Sequence, residues 1–174
     1  EAVLADAYPW CREHASALRA LFAAYVEEKL ARHVLDYDDL LLWWWHAMQA
    51  PEIAAHVRAR FDHVLVDEYQ DTNALQAEIV VALAPSGKGV TAVGDDAQAI
   101  YSFRAATVNN ILAFPSAFTT PARMVPLEEN YRSTVPILAA SNAVIERSTR
   151  RYQKELHSSR LSQERPTLAI VDDD

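Results

Sequence analysis

Val64-Leu65-Val66-Asp67-Glu68-Tyr69-Gln70-Asp71-Thr72 is the stretch that decides how this chain folds. Its apolar, β-branched opening reads as a short buried strand, and two adjacent carboxylates stand where that strand would end. In open α/β sheets, ligands sit beyond the carboxyl ends of parallel strands. An Asp-Glu pair there can hold a metal ion and polarise a water. The same pair would also suit a solvated strand end with no ligand, so the flanking sequence has to decide.

Downstream, Asp71 or Thr72 can cap a helix whose Leu75, Ile79, Val80 and Leu83 form an apolar stripe. Pro85-Ser86-Gly87-Lys88-Gly89 then reads as a turn leading into a second buried strand, Val90-Thr91-Ala92-Val93. A helix between two strands implies that they are parallel. The turn imitates a phosphate loop without being one. That motif needs a Gly five residues before its Gly-Lys pair and a Ser or Thr after it, where this chain has Ala82 and Gly89.

The second strand also delivers polar groups at its end, in Gly94-Asp95-Asp96-Ala97-Gln98-Ala99-Ile100-Tyr101-Ser102-Phe103-Arg104. Gln98 can donate to a phosphate oxygen or orient a water. Tyr101, Phe103 and Arg104 combine aromatic faces with a cation, and stacking on aromatics holds bases of any sequence. Thr107 can cap a helix to about Phe114, and Phe118-Thr119-Thr120-Pro121 is a domain-boundary candidate. Beyond it, Met124-Val125-Pro126-Leu127 is a possible strand followed by Glu128-Glu129-Asn130-Tyr131-Arg132-Ser133. Ser133 can cap a helix with Pro136 in its first turn, and the Arg132 guanidinium can reach an anion across a cleft. Residues 147–154 are basic, and residues 167–171 look like a strand.

Upstream, Pro51 suits the first turn of a helix through about Arg60. Residues 40–48, with Trp43-Trp44-Trp45, are apolar on all sides, the pattern of a helix buried in a larger body or lying against a missing partner, with the core the favoured place, and an Asp of Asp36-Tyr37-Asp38-Asp39 can cap it. Residues 10–34 carry Leu18, Leu21, Phe22, Tyr25, Val26 and Leu30 at helical spacing and predict a long amphipathic helix.

Composition excludes several classes. Half of the 174 residues are hydrophobic, enough for a core and too many for a disordered chain. The net charge of −8 argues against a generally basic nucleic-acid coat, yet positions 123–165 hold eight Arg or Lys against five Glu, a local +3 that leaves −11 elsewhere. One cysteine, Cys11, permits neither an internal disulfide nor a cysteine zinc site, and fits a reducing cytoplasm. No run has the length of a membrane span, so no membrane partner is expected. The start at Glu1 and the stop after a strand-like segment suggest an internal fragment of something longer.

Taken together and in order, Val66-Asp67-Glu68-Tyr69-Gln70-Asp71-Thr72, the Val93–Arg104 stretch and Leu127-Glu128-Glu129-Asn130-Tyr131-Arg132-Ser133 resemble the UvrD/Rep family of superfamily 1 DNA helicases. Asp36-Tyr37-Asp38-Asp39-Leu40-Leu41 resembles a fourth, weaker motif, so the resemblance spans at least residues 36–145. It implies an α/β fold: a partial RecA-like P-loop NTPase motor domain of parallel strands flanked by helices, a helical segment, and the start of a second motor domain. The corresponding boundaries are 1–34 for an inserted helical subdomain, 35–121 for the later half of the first motor domain, and 122–174 for the start of the second. It further implies ATP and Mg²⁺ as cofactors, with Asp67 as the metal ligand and Glu68 as the base for the attacking water. Gln98 would sense the γ-phosphate. Tyr131 would stack on adenine, and Arg132 would reach the γ-phosphate from the second motor domain. Tyr37, Tyr101, Phe103 and Arg104 match positions that handle single-stranded DNA. Partners would be single strands and duplex junctions, with repair or recombination proteins.

Phe103 stands where many relatives have Trp, Tyr37 where Phe is usual, and Ala105 where Gly is usual. The family's phosphate loop, upstream of these motifs, and its later arginine motif fall outside these residues, so the chain alone is expected to hydrolyse ATP negligibly. Two alternatives are a helicase–nuclease subunit and a non-catalytic DNA-binding module that has lost the phosphate loop.

Overall fold

The computed structural model describes residues 2–100 and 106–170. The chain divides into two compact units, residues 1–44 and 45–174.

In the first unit, α1 (Ala2–Ala7) leads to a 3-10 turn (Pro9–His14) and then to α2 (Ala15–Arg32). The expected helix over 10–34 is therefore shorter, because Pro9 starts a tighter turn before the α-helix is established. His33 ends α2 in the left-handed region at φ 54°. Its N–H donates to the Leu30 carbonyl and that of Val34 to the Lys29 carbonyl, a Schellman closure. Leu21, Phe22, Tyr25, Val26 and Leu30, the apolar stripe of the expected amphipathic helix, are exposed. The chain then turns at Asp36 into α3 (Tyr37–Gln49). The Asp36 and Asp39 carboxylates accept each other's backbone N–H at 2.9 and 3.1 Å, the capping expected of this acidic stretch. The expectation that α3 is buried is corrected: Trp43 and Trp44 are exposed, and Met48 alone on this helix is buried. A helix apolar on every side needs cover on every side, and the described residues complete it around one residue.

The second unit holds α4 (Pro51–Arg58), which starts at its proline as expected, and then β1 (Val64–Val66), α5 (Ala74–Leu83) and β2 (Val90–Ala92). The strands pair in parallel, with Val64 opposite Val90, Leu65 opposite Thr91 and Val66 opposite Ala92. Alternation turns Val66, Val90 and Ala92 to the core, where Tyr69, Val80, Ile111 and Phe118 pack. Leu65 on the opposite face is 75 % exposed, so β1 is covered on one face rather than fully buried as the sequence suggested. Phe114 bridges Tyr69 and Phe118 edge to face, at centroid distances of 4.8 and 5.1 Å.

Several local expectations are corrected. Asn73, not Asp71 or Thr72, caps α5, exchanging hydrogen bonds with Gln76. The Thr72 hydroxyl instead donates to the Tyr69 carbonyl at 2.7 Å. The Pro85–Gly89 segment is a turn, with Gly87 and Gly89 at φ 77° and 78°; a Cβ on Gly89 would lie 2.5 Å from the Asp62 carbonyl oxygen. Thr107 caps α6 (Val108–Ala113) as anticipated, and Pro115 lies in the 3-10 turn that follows. Residues 124–127 form no strand, since Pro126 has no N–H to donate and no ladder runs beside them. Residues 167–170 likewise lie outside any ladder and are exposed. Thr134, not Ser133, precedes α7 (Val135–Ile145), and its side chain makes no capping bond.

Candidate functional site: the carboxyl ends of two parallel strands

Pairing continues beyond the strands themselves. Val93 N–H donates to the Val66 carbonyl at 2.8 Å and Tyr69 N–H to the Val93 carbonyl at 3.0 Å, which sets the two strand ends side by side. At Glu68 the backbone enters the left-handed region, φ 50° and ψ 43°. A residue with a Cβ reaches that region at a cost of about 1–2 kcal/mol. The kink sends Tyr69 into the core and leaves the Asp67 and Glu68 carboxylates exposed at the surface.

Gln70, 1 % exposed, joins the two ends. Its Nε2 donates to Glu68 Oε2 at 2.7 Å, and its Oε1 accepts from Asp95 N–H at 3.0 Å. Gly94 makes room for it: a Cβ there would stand 2.7 Å from Gln70 Oε1 and 2.8 Å from Ile111 Cδ1. Asp95 caps the short 3-10 turn Asp96–Gln98 by accepting Ala97 N–H at 3.0 Å, and its other oxygen accepts from Gln98 Nε2 at 2.9 Å. A continuous chain of hydrogen bonds therefore runs from Glu68 through Gln70 and Asp95 to Gln98.

Lys154 closes the far side of this network. Its ammonium donates to Asp95 and, at 2.6 Å, to the buried Asp96, whose second oxygen accepts Tyr152 N–H at 3.0 Å. Burial alone would lower the lysine's affinity for its proton, but the two carboxylates outweigh it and hold the pKa above the ordinary value. Burial would likewise raise Asp95, and the bonds from Gln98, Lys154 and Ala97 N–H reverse it, leaving its pKa below the ordinary value.

Tyr131 and Arg132 lie on a separate turn. Asn130 Oδ1 accepts the N–H groups of Arg132 and Ser133 at 3.0 and 2.7 Å, and Arg160 Nη1 donates to the carbonyls of Tyr131 and Arg132. Tyr131 is exposed and its hydroxyl donates to Glu129 at 2.9 Å, a bond that raises the phenol's pKa. Among the described residues no hydrogen bond joins Tyr131 or Arg132 to Asp67, Glu68 or Gln98. Tyr37 is 87 % exposed in the first turn of α3, within the first unit. Tyr101, Phe103 and Arg104 lie outside the described residues.

For a divalent cation, the donor set at the end of β1 is carboxylate oxygen, which suits Mg²⁺ bound jointly with phosphate and water rather than caged by protein alone. No group of three or more His, Cys, Asp or Glu among the described residues could hold an ion without such help. A nearby carboxylate oxygen, Asp71 Oδ1, is buried without a hydrogen-bond partner.

Sequence reasoning passed over Gln70, Gly94 and Lys154. Gln70 hides inside a motif dominated by its acids, and Gly94 has neither a positive φ nor a turn pattern to mark it. Lys154 is separated from its partners by more than fifty positions, and a lysine in a basic run gives no hint of a buried partner.

The family described as the UvrD/REP helicase N-terminal domain matches residues 5–119. A probable DNA helicase II homolog of Rickettsia felis is 40% identical over 148 residues, covering 84% of this chain and 22% of the relative. The ATP-dependent DNA helicase PcrA of Leuconostoc citreum is 42% identical over 137 residues, 78% of this chain and 18% of the relative. The ATP-dependent DNA helicase UvrD1 of Mycobacterium tuberculosis (strain H37Rv) is 42% identical over 151 residues, 82% of this chain and 19% of the relative. The chain thus spans about a fifth of the length of these relatives.

Proposed function

The chain belongs to the UvrD/REP helicase family, and from that membership we propose that it supplies one wall of the ATP site, and part of the DNA path, of a longer ATP-dependent DNA helicase. The observation that carries this reading is the unbroken link from Glu68 through Gln70 and Asp95 to Gln98 at the ends of two parallel strands, the position where α/β sheets bind ligands. Asp67 would hold Mg²⁺, which supplies charge neutralisation on the phosphates when bound. Glu68 takes a proton from the attacking water, and its exposed carboxylate is already oriented by the Gln70 amide. Gln98, oriented by Asp95, donates to the γ-phosphate. Arg132 brings a bidentate cation to the same phosphate from the opposite wall, and Tyr131 stacks on the adenine.

Tyr37, Tyr101, Phe103 and Arg104 would contact single-stranded DNA through aromatic faces and one guanidinium. Residues 1–34 then belong to an inserted helical subdomain, 35–121 to the first RecA-like motor domain and 122–174 to the second. Closure of the two motor domains over ATP couples hydrolysis to movement along the strand and to unwinding of the duplex. These 174 residues contain no phosphate loop, so the polypeptide alone turns over ATP negligibly.

The test is phosphate release by the full-length protein with and without single-stranded DNA. DNA-stimulated release is expected, and Arg132→Ala should lower it on the order of 10³-fold, the worth of an arginine aimed at a transferring phosphate. Release untouched by Arg132→Ala contradicts the second wall, and DNA-stimulated release by residues 1–174 alone contradicts the stated division of labour.

A further inference from the structure

Gln98 lies on the surface at the end of a three-residue 3-10 turn, a poor platform for a group that must meet a ligand in one geometry. Its amide is held by Asp95, so the rotamer of Asp95 decides where Gln98 points. That rotamer is itself held from outside the turn. Lys154 and Ala97 N–H both engage Asp95 Oδ1, which leaves Oδ2 to Gln98. Lys154 is anchored in turn: its second bond is to Asp96, whose side chain is 2 % exposed, and its own side chain is 16 % exposed. Two residues earlier, the Tyr152 hydroxyl donates to the Ile111 carbonyl at 2.6 Å and its ring packs against the core.

A clasp needed only for folding would balance one buried carboxylate with one ammonium. Here one ammonium serves two carboxylates, one buried and one that reaches the surface. The second carboxylate, Asp95, is the one that holds Gln98. The same segment also reaches the other proposed wall. His157 donates its N–H to the Glu128 carbonyl at 2.9 Å, and its carbonyl accepts the Asn130 N–H at 2.7 Å, just before the Tyr131–Arg132 turn.

We propose that Lys154 is a positioning residue for Gln98, holding it through Asp95 in the geometry that distinguishes ATP from ADP, and that residues 152–157 tie this geometry to the Tyr131–Arg132 turn. The proposal rests on the reading of Gln98 as the γ-phosphate contact. Removing Lys154 frees Asp95 to rotate, so Gln98 loses its aim while the remaining nucleotide contacts stay in place.

The experiment measures the affinity of the full-length protein for ADP and for the non-hydrolysable analogue adenylyl imidodiphosphate, in the wild type, Lys154→Ala, Gln98→Ala and the double variant. Gln98→Ala is expected to lower the preference for the analogue about tenfold, the value of one hydrogen bond to a charged group. Lys154→Ala should lower it comparably with ADP affinity within about twofold of wild type, and the double variant should be no worse than either single one. Lys154→Arg, which keeps a cation on both carboxylates, should restore most of the preference. If Lys154→Ala does not fold, Lys154→Gln, which keeps a donor for Asp96, carries the same comparison. A preference lost in Gln98→Ala but kept without Lys154 overturns the positioning role alone, as does an equal loss of ADP and analogue affinity. A preference kept in Gln98→Ala overturns the reading of Gln98 and the proposal with it.

Discussion

Replacing Gly94 with alanine tests whether the two strand ends are held as one unit. Gly94 has no positive φ, so its backbone tolerates a methyl group and the consequence is steric. The added Cβ would stand 2.7 Å from Gln70 Oε1, 2.8 Å from Ile111 Cδ1 and 3.2 Å from Tyr69 N. The Ile111 and Tyr69 neighbours belong to the core and yield little, so the Gln70 amide is the group that moves. Overpacking of this kind costs about 1–3 kcal/mol. Displacing a fully buried amide from Glu68 and Asp95 adds about 1–3 kcal/mol for groups left without partners. Gly94→Ala should therefore lose about 2–6 kcal/mol in urea unfolding followed by circular dichroism. In hydrogen exchange, the Asp95 amide should lose protection before the Val93 amide, since its acceptor is the displaced oxygen. Combining it with Gln70→Ala gives the methyl room, so the double loss should fall short of the sum of the single losses by roughly 0.5–3 kcal/mol. A Gly94→Ala protein within about 0.5 kcal/mol of wild type, with the Asp95 amide still protected, refutes the account of Gln70 as the strut.

Asn73→Ala removes the capping box of α5 and should cost about 1 kcal/mol in the same unfolding assay, whereas Asp71→Ala should not show a capping loss. The Lys154 clasp has a defined pH window. Asp95 is held below its ordinary 3.8, so its contribution is present above that pH and is lost as pH falls through the lowered value. Lys154 is held above its ordinary 10.5, so its contribution is full below that pH and is lost as pH rises through the raised value. The stability gap between wild type and Lys154→Met should therefore be level from about pH 5 to 9 and narrow beyond 3.8 and 10.5; a gap that changes steeply near pH 7 contradicts these shifts.

The order strand, acids, helix, turn, strand was legible because β-branched runs and Pro or Gly punctuation are local signals, and Val64–Val66, Pro51 and the Gly87–Gly89 turn fall where such signals put them. Caps were harder. Asp71, Thr72 and Asn73 all suit the role, and the choice fell to the residue with Gln three positions on. Burial was least legible, since it depends on what covers a face: Leu65, Trp43 and the α2 stripe are apolar and yet exposed. The strands expected at 124–127 and over the described residues 167–170 are absent for a related reason, because a β-prone run becomes a strand only beside a partner backbone. At the site, the acids and Gln98 stood out by residue type, while the parts that hold them, Gln70, Gly94 and Lys154, act through tertiary contacts that no spacing announces.

Glu68 carries the central claim. Its side chain is exposed, oriented by one amide and displayed on a kinked backbone, and it is assigned to take a proton from water. Glu68→Gln keeps the size of the side chain and removes its basicity. The deciding measurement is DNA-stimulated phosphate release by the full-length Glu68→Gln protein, with binding of a fluorescent ATP analogue followed in parallel. Release lowered by about 10²- to 10⁴-fold with binding retained is expected. Release close to the wild-type rate, with binding intact, would show that Glu68 is not the base and that this strand end is not the catalytic wall.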